Sequence, residues 1–470
     1  MTQRKRTQVD DIERGVYDTI SDVKFRKKLD NGLTYDIVRA ISKEKNEPEW
    51  MLDLRLKAVD IFYKLENPVW GPDLSEVDLD NISTYISPDA DMEDNWDAVS
   101  GEIKTMFDKL GIPEAEKKSL LSGVGAQFDS EVVYHNVQKE LTDQGVIFLD
   151  FDTAVQEHED LVRKYFQKAI PAGLHKYAAL HYAVWSGGTF VYVPKGVKVD
   201  VPLQTYYRLN APGAGQFEHT MIIVDEGASC RFIEGCSAPK YNVLNIHAGS
   251  VELFVEEGAH LNFTSIENWS RNMYNLNTKR AVVEKNGHIE WVGGSFGSKV
   301  SMLYPGSILN GENAISDNLT LNFAGSGQII ESGVQIFHNA PNTMSNVDSR
   351  SISKSGGISV FRSTVQFAKN AHGSKSAASC ESLMLDNESR ADTIPVIINS
   401  CPDAVAGHEA AIGKVDQEVL DYMMSRGLGE VEAKSMIVRG FAEPISRELP
   451  LEYAVEMNNL INLELEGTVG

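Results

Sequence analysis

The sequence predicts a mainly β protein whose middle is a β-solenoid, a right-handed parallel β-helix, flanked by helical segments. Three observations carry this. A unit recurs: Val224-Asp225-Glu226-Gly227-Ala228 leads, eight residues after Val224, to Phe232. Val255-Glu256-Glu257-Gly258-Ala259 leads likewise to Phe263, and Val283-Glu284-Lys285-Asn286-Gly287 to Trp291. The valines are 31 and 28 residues apart, with fainter echoes at residues 310–314, 338–340 and 369–371. A strand–turn–strand unit of about 30 residues is the size of a solenoid rung or a propeller blade. Irregular repeats without blade signatures favour a parallel β-helix, whose coils bury their inward residues by stacking; a sandwich of loosely similar hairpins is the alternative. The second observation is that short β-rich runs alternate with Gly/Asn/Ser turns from Gly187-Gly188 onward. The third is that helical periodicity is confined to the two ends.

In chain order, residues 1–171 form a helical region. Trp50, Leu54, Ala58, Ile61 and Leu65 are spaced to share one helical face, with Asn46 and Pro48 as a start and Asn67-Pro68 as a stop. A short strand, Val146-Ile147-Phe148-Leu149, precedes a helix over 153–166 with Asp152 as its N-cap. The acidic stretch 89–97 reads as loop. The solenoid pattern fills about 189–400, within a core of 172–410. Helices return over 411–470: Val419, Tyr422 and Met423 share a face before Gly427. Residues 430–441 carry Met436, Ile437 and Phe441, and 451–465 make a third helix. These helices either cap the solenoid or offer a partner surface.

The 470 residues carry 44 Lys+Arg against 67 Asp+Glu, a formal charge of −23, which argues against nucleic acid or an anionic membrane as partner. The first six residues are charged, with no apolar signal region, and no stretch has the length of a membrane span. Four cysteines without a C-x-x-C describe neither a disulfide framework nor a zinc ribbon. The expected location is cytoplasmic.

No enzyme signature is present. Gly293-Gly294-Ser295-Phe296-Gly297-Ser298-Lys299 lacks the ending of a phosphate loop and has no helix after it. His408-Glu409 lacks the second histidine of a zinc protease motif. Thiols remain. Cys230 alternates with Phe232 and reads as core. Cys236 ends a strand before the turn Ser237-Ala238-Pro239, where a thiol can be reached, and Arg208, Arg231 and Lys279 on neighbouring coils would favour its thiolate. Packing and function are both open for it. Cys380, Cys401, His408 and Glu409 supply the thiolate, imidazole and carboxylate mix that iron accepts. One chain offers too few thiolates for a permanent four-cysteine cluster, so a transient site, or one completed by a second subunit, fits better. A hydrogen-bonded surface histidine is the plain alternative for His408.

Several motifs together resemble the SufB/SufD family of iron–sulfur cluster assembly proteins, and within it the SufB scaffold subunits. They are Asn46-Glu47-Pro48-Glu49-Trp50-Met51, Trp70-Gly71-Pro72-Asp73-Leu74, Tyr192-Val193-Pro194-Lys195-Gly196-Val197, Phe232-Ile233-Glu234-Gly235-Cys236-Ser237-Ala238-Pro239, Thr278-Lys279-Arg280-Ala281 and Glu448-Leu449-Pro450-Leu451-Glu452. The resemblance implies a right-handed parallel β-helix between helical ends. It also implies an ABC-type ATPase, SufC, docked on the C-terminal helices, and a SufD paralogue or second copy paired through the β-helix. A sulfur-donor protein, a transient iron–sulfur cluster and reduced flavin on the complex complete the implied set, with no nucleotide site in this chain. By the same resemblance Cys236 accepts sulfur as a persulfide. Arg208, Asn210, Glu267, Trp269 and Lys279 line the sulfur's interior route, and Cys380, with His408 and Glu409, holds the nascent cluster. Two positions depart from the pattern: Gly407 stands where a glutamate is usual, and Glu267 where a glutamine is common. Cys401 has no family role.

An interior route would protect a persulfide from solvent thiols. The leading expectation is therefore an assembly scaffold rather than an enzyme. A SufD-like subunit that gives the interface without accepting sulfur is the alternative, and a β-helix carbohydrate enzyme is a third reading.

Overall fold

The computed structural model describes residues 20, 24–109, 122–448 and, near the C-terminus, 457, 460–462 and 465. It is mainly β, a solenoid of about eight turns with helices at both ends. One long sheet stacks Lys198–Arg208, Ser229–Ser237, His260–Asn268, His288–Phe296, Ile315–Ala324, Met344–Ser353, Lys375–Met384 and Val405–Lys414 in parallel. A second begins with Gly188–Val193, His219–Val224, Ser250–Val255, Thr278–Val283 and Gly306–Leu309, and ends with Ile329–His338, Ile358–Phe367 and Arg390–Asn399. Short strands from Gly215–Gln216 to Val300–Leu303 form a third face. It merges into the second where Ile329–His338 pairs with both Val300–Leu303 and Gly306–Leu309. Gly333 stands at that junction, where a Cβ would lie 1.6 Å from the Arg362 carbonyl oxygen.

The sequence repeat is the register of these sheets. Val224, Val255, Val283 and Leu309 are successive partners on one wall. Phe232, Phe263 and Trp291 are successive partners on the other, with ring centroids 5.8 and 5.5 Å apart. Between the walls the chain turns through a left-handed residue, Gly227 (φ 63°), Gly258 (φ 67°) and then Asn286 (φ 55°). That conformation tolerates glycine and asparagine, which is why these two types alternate in the repeat.

The N-terminal region contributes more than helices. Gly123–Phe128 and Glu131–Val137 extend the first sheet beyond Lys198–Arg208, and the apolar run expected before the helices pairs as Ile147–Asp150 with Gly188–Val193. The helix Glu49–Lys64 buries Met51, Arg55, Ala58, Val59 and Phe62, a face rotated by one residue from the predicted stripe. Arg55 causes the rotation. Its guanidinium lies over the Trp185 ring at 4.4 Å, pairs with Glu47 and donates to the Trp185 carbonyl at 2.9 Å. The helix expected over 153–166 is two helices, Phe151–Glu157 and Glu159–Tyr165, broken at His158. The N-cap of the first is Asp150 rather than Asp152, which instead takes the Lys45 ammonium at 2.7 Å.

These helices cover the outer face of the second sheet. The buried Glu252 carboxylate fixes them there, accepting from the backbone N–H groups of Gln167, Ala169 and Ile170 and from the Tyr182 hydroxyl, at 2.9 to 3.0 Å. At the other end, Glu430–Glu448 packs on the outer face of the first sheet through Val438, Ala442 and Ile445 rather than Met436. In Gln417–Ser425 only Leu420 is buried; Val419 and Tyr422, expected to face inward, are exposed. The third C-terminal helix, 451–465, lies outside the described residues except for five helical positions, and so do the first six residues. No helix among the described residues is long and apolar enough to cross a membrane.

Candidate functional site

Along a parallel β-helix each inward position repeats coil after coil as a row of side chains. In the solenoid's apolar half these rows hold Val, Leu, Phe and Trp. Two rows in the first sheet are different. One runs Tyr207, Cys236, Glu267, Ser295, Asn322, Ser351 and Ser382. Its inward neighbour runs Glu234, Ser265, Gly293, Thr320, Ser349 and Cys380. Cys236 and Cys380 therefore lie in adjacent rows five strands apart, roughly 24 Å at the ordinary strand spacing. The side chains between them are polar, and a cavity of roughly 60 Å³ opens among Ser265, Glu267, Lys279, Ser295, Asn322 and Ser332.

Lys279 enters this interior from the second sheet. Its ammonium donates to Ser265 Oγ at 2.6 Å, Glu267 Oε1 at 2.8 Å and Glu234 Oε1 at 3.1 Å. Glu267 also accepts from Asn275, which holds His247 at 2.7 Å, and His247 in turn meets Glu218 at 2.6 Å. Burial penalises every charge here, and the partners decide the outcome. Burial lifts Glu234 above the usual carboxylate range, whereas Lys279 and His247 outweigh it and hold Glu267 below. His247 stays above the ordinary histidine range against burial, through the Glu218 carboxylate. The Trp269 ring lies against His247, tilted, with centroids 4.5 Å apart.

Arg208, Asn210, Cys236, Glu267, Trp269 and Lys279 are all buried in this half of the solenoid. Arg208 donates to Ser237 Oγ at 2.9 Å, beside Cys236. The state of Cys236 differs from expectation. It is 1% exposed, not reachable at a strand end, and burial followed by Glu234, Glu218 and Glu267 pushes its thiol well up, with Lys279 opposing. Burial and three carboxylates outweigh one ammonium and favour the protonated thiol. Arg231 is outward and exposed, away from it. Cys230 is core, and burial pushes it up to about 12.

Asp129 sets the segment after Arg208. Its Oδ1 accepts the N–H groups of Asn210 at 2.7 Å and Ala211 at 2.9 Å, while Oδ2 has no hydrogen-bond partner. Burial lifts its pKa from 3.8 to about 7. Between pH about 4 and 7 the folded chain thus holds a proton that the unfolded chain has lost, so stability falls as pH rises through that window. The urea midpoint is expected to show this fall and Asp129→Asn to remove it; an unchanged slope in the variant would assign the fall elsewhere.

Cys380 is buried in the penultimate strand of its sheet, its Sγ 3.2 Å from Thr393 Oγ1. His408 follows in the last strand, paired with Ala378; Ala410 is the partner of Cys380. The His408 ring stacks on Phe361 at 5.9 Å, burial lowers its pKa, and Nε2 has no hydrogen-bond partner. Glu409, one residue on, points to the opposite, exposed face. Within one chain Cys380 and His408 share the inward side without closing on a common ion, and Glu409 is apart from both.

Residues the sequence reading passed over include Glu234, Glu218, His247, Ser265 and Asn275. Alternation from Cys236 puts Glu234 inward, a signal present in the sequence. Glu218 and His247 come from the third face and reach the site only through the coil's closure.

The family model described as "SUF system FeS cluster assembly, SufBD core domain" matches residues 207–441, and "SufBD protein N-terminal region" matches residues 44–205. Iron–sulfur cluster assembly SufBD family proteins of Staphylococcus aureus (strains MRSA252 and USA300) and Staphylococcus haemolyticus (strain JCSC1435) are each 51% identical over 467 residues. The match covers 99% of this chain and 100% of each relative.

Proposed function

The chain belongs to the SufBD family of iron–sulfur cluster assembly proteins, an assembly family rather than an enzyme family, and from that premise we propose that it is a scaffold that accepts sulfur at Cys236 and builds a transient cluster at Cys380. One observation carries the reading: both thiols lie on neighbouring interior rows of one ladder, joined by polar side chains and closed to solvent. The Cys236 thiolate attacks the outer sulfur of a donor persulfide, R–S–SH. The new S–S bond leaves Cys236–S–SH, and the donor departs as its thiolate. Because the thiol is buried and protonated, this step requires the cover over Cys236 to open on the donor and the thiol proton to pass to the departing donor thiolate, with Lys279 the cation that favours the anion.

Cluster assembly at Cys380 uses the solenoid's open end. The last two strands expose Val396, Ile397, Ile398, Val405 and Ile412, an apolar surface suited to a SufD-type paralogue or a second copy. A ligand from that subunit would complete what Cys380 and His408, whose Nε2 has no hydrogen-bond partner, begin. The exposed Val419, Tyr422, Met424, Val431 and Met436 of the C-terminal helices offer a second apolar surface, fitting an ABC-type ATPase.

The buried, protonated state of Cys236 favours a second reading, a SufD-like partner that gives the interface without taking sulfur. Incubation with a sulfurtransferase and labelled cysteine separates the two. The scaffold reading expects labelled persulfide that is lost in Cys236→Ala; absence of label on the wild-type complex would establish the partner reading.

A further inference from the structure

Cys401 is unused by this chemistry, and its surroundings give it another. It sits four residues before Val405, as Ala371 does before Lys375 and Ala340 before Met344, and those three strand positions are register partners. The turns match: Ser374 N donates to Ala371 O at 3.2 Å and Ala404 N to Cys401 O at 3.3 Å. All three side chains are buried at the same corner of successive coils. Packing there asks only for a small apolar side chain, so the sulfur adds something that packing does not require.

The sulfur faces two potential ligands. Cys401 Sγ lies 3.1 Å from Asp403 Oδ1 and 3.6 Å from His372 Nδ1, and the latter two are 2.9 Å apart. Asn399 Oδ1 accepts the Cys401 N–H at 2.9 Å and fixes the turn. His372 and Asp403 are 62% and 55% exposed at the side chain, so an ion can enter from solvent. Tetrahedral zinc, with bonds of about 2.3 Å to sulfur and about 2.0–2.2 Å to nitrogen and oxygen, needs donor–donor separations of roughly 3.3–3.6 Å. The three observed separations lie within about half an ångström of that range.

We propose that His372, Cys401 and Asp403 form a binding site for a borderline-soft divalent ion, zinc or iron(II), with three protein donors and an open fourth position. Zinc binds the more tightly of the two by the usual affinity order. On binding, the ion replaces the thiol proton, which leaves to solvent, one per ion bound.

Cobalt(II) titrated into the chelator-stripped, full-length protein tests this. One equivalent is expected to give thiolate-to-cobalt charge-transfer absorption with the strong visible bands of a tetrahedral ion. Cys401→Ala, which installs the residue of the two preceding coils, should lose the charge-transfer band and keep the far-UV circular dichroism. His372→Ala should weaken binding by about tenfold or more, and Cys380→Ala should leave it unchanged. Absence of the band in the wild type, its survival in Cys401→Ala, or its loss in Cys380→Ala would each overturn the assignment. The readout uses a different thiol from the sulfur reading, so failure here leaves that reading standing.

Discussion

Replacing Cys380 by alanine is expected to cut the cluster formed on reconstitution with iron and sulfide by about tenfold or more, read as visible absorption on the purified complex. Cys380 is the thiol that ends the interior polar rows, one strand short of the solenoid's end. Its neighbours there are His408 and Thr393 rather than further thiols, so no cysteine of the same rows can take over. Cys380 is as buried as the core residue Cys230 and shares its apolar cluster, but its Sγ also lies 3.2 Å from the Thr393 hydroxyl. Cys230 packs among Val, Leu and Phe, and Cys230→Ala should leave the yield intact. Wild-type cluster yield in Cys380→Ala would remove the site from this strand. Equal losses in both variants, with reduced stability, would reduce the effect to packing.

Lys279→Met is expected to cost about 3–5 kcal/mol of folding stability, the range for breaking a buried ion pair by removing one partner. The ammonium is the hub for Glu234, Glu267 and Ser265. Without it Glu267 keeps Asn275, a long hydrogen bond from Ser265 and the more distant His247 as counterweight to burial. The loss should show as a fall in the urea midpoint. Adding Glu267→Gln should recover much of it, because the orphaned charge is removed and Glu234, already lifted by burial, can protonate. The pH dependence should also change sign. In the wild type Glu267 lies below its usual 4.5, so its contribution is present above that value and lost as pH falls through the folded pKa. In Lys279→Met burial raises it instead, and stability is lost as pH rises. A double variant no more stable than the single one would mean that Lys279 acts by filling space.

Much of the fold was legible because a solenoid repeats its own local chemistry. The spacing of Val224, Val255 and Val283, with Gly227, Gly258 and Asn286 at the left-handed turn, determines coil length and register from sequence alone. Inward alternation also identifies Phe232, Glu234 and Cys236 as one interior series. Less was legible at the ends. The helix Glu49–Lys64 turned its buried face by a residue because Arg55, a charge, found Glu47, two carbonyls and the Trp185 ring inside. The helix Gln417–Ser425 leaves Val419 and Tyr422 exposed, since periodicity marks an apolar stripe without saying what covers it.

For the site, the sequence marked the chemically distinctive candidates: Cys236, Lys279, Glu267, Cys380 and His408 sit at readable strand positions. Only the tertiary structure decided their state. Whether Cys236 is a thiolate depends on a sum over Glu218, Glu234, Glu267 and Lys279, which come from three faces of the coil. A basic residue seen in sequence raised the expectation of an anion, and burial, followed by three carboxylates, reversed it. Glu409 was set beside Cys380 by proximity in sequence, and the pleat turns it to the other face. Local pattern determines which face a side chain takes; the charge it then feels belongs to everything the coils bring within a few ångströms, and burial makes that sum large.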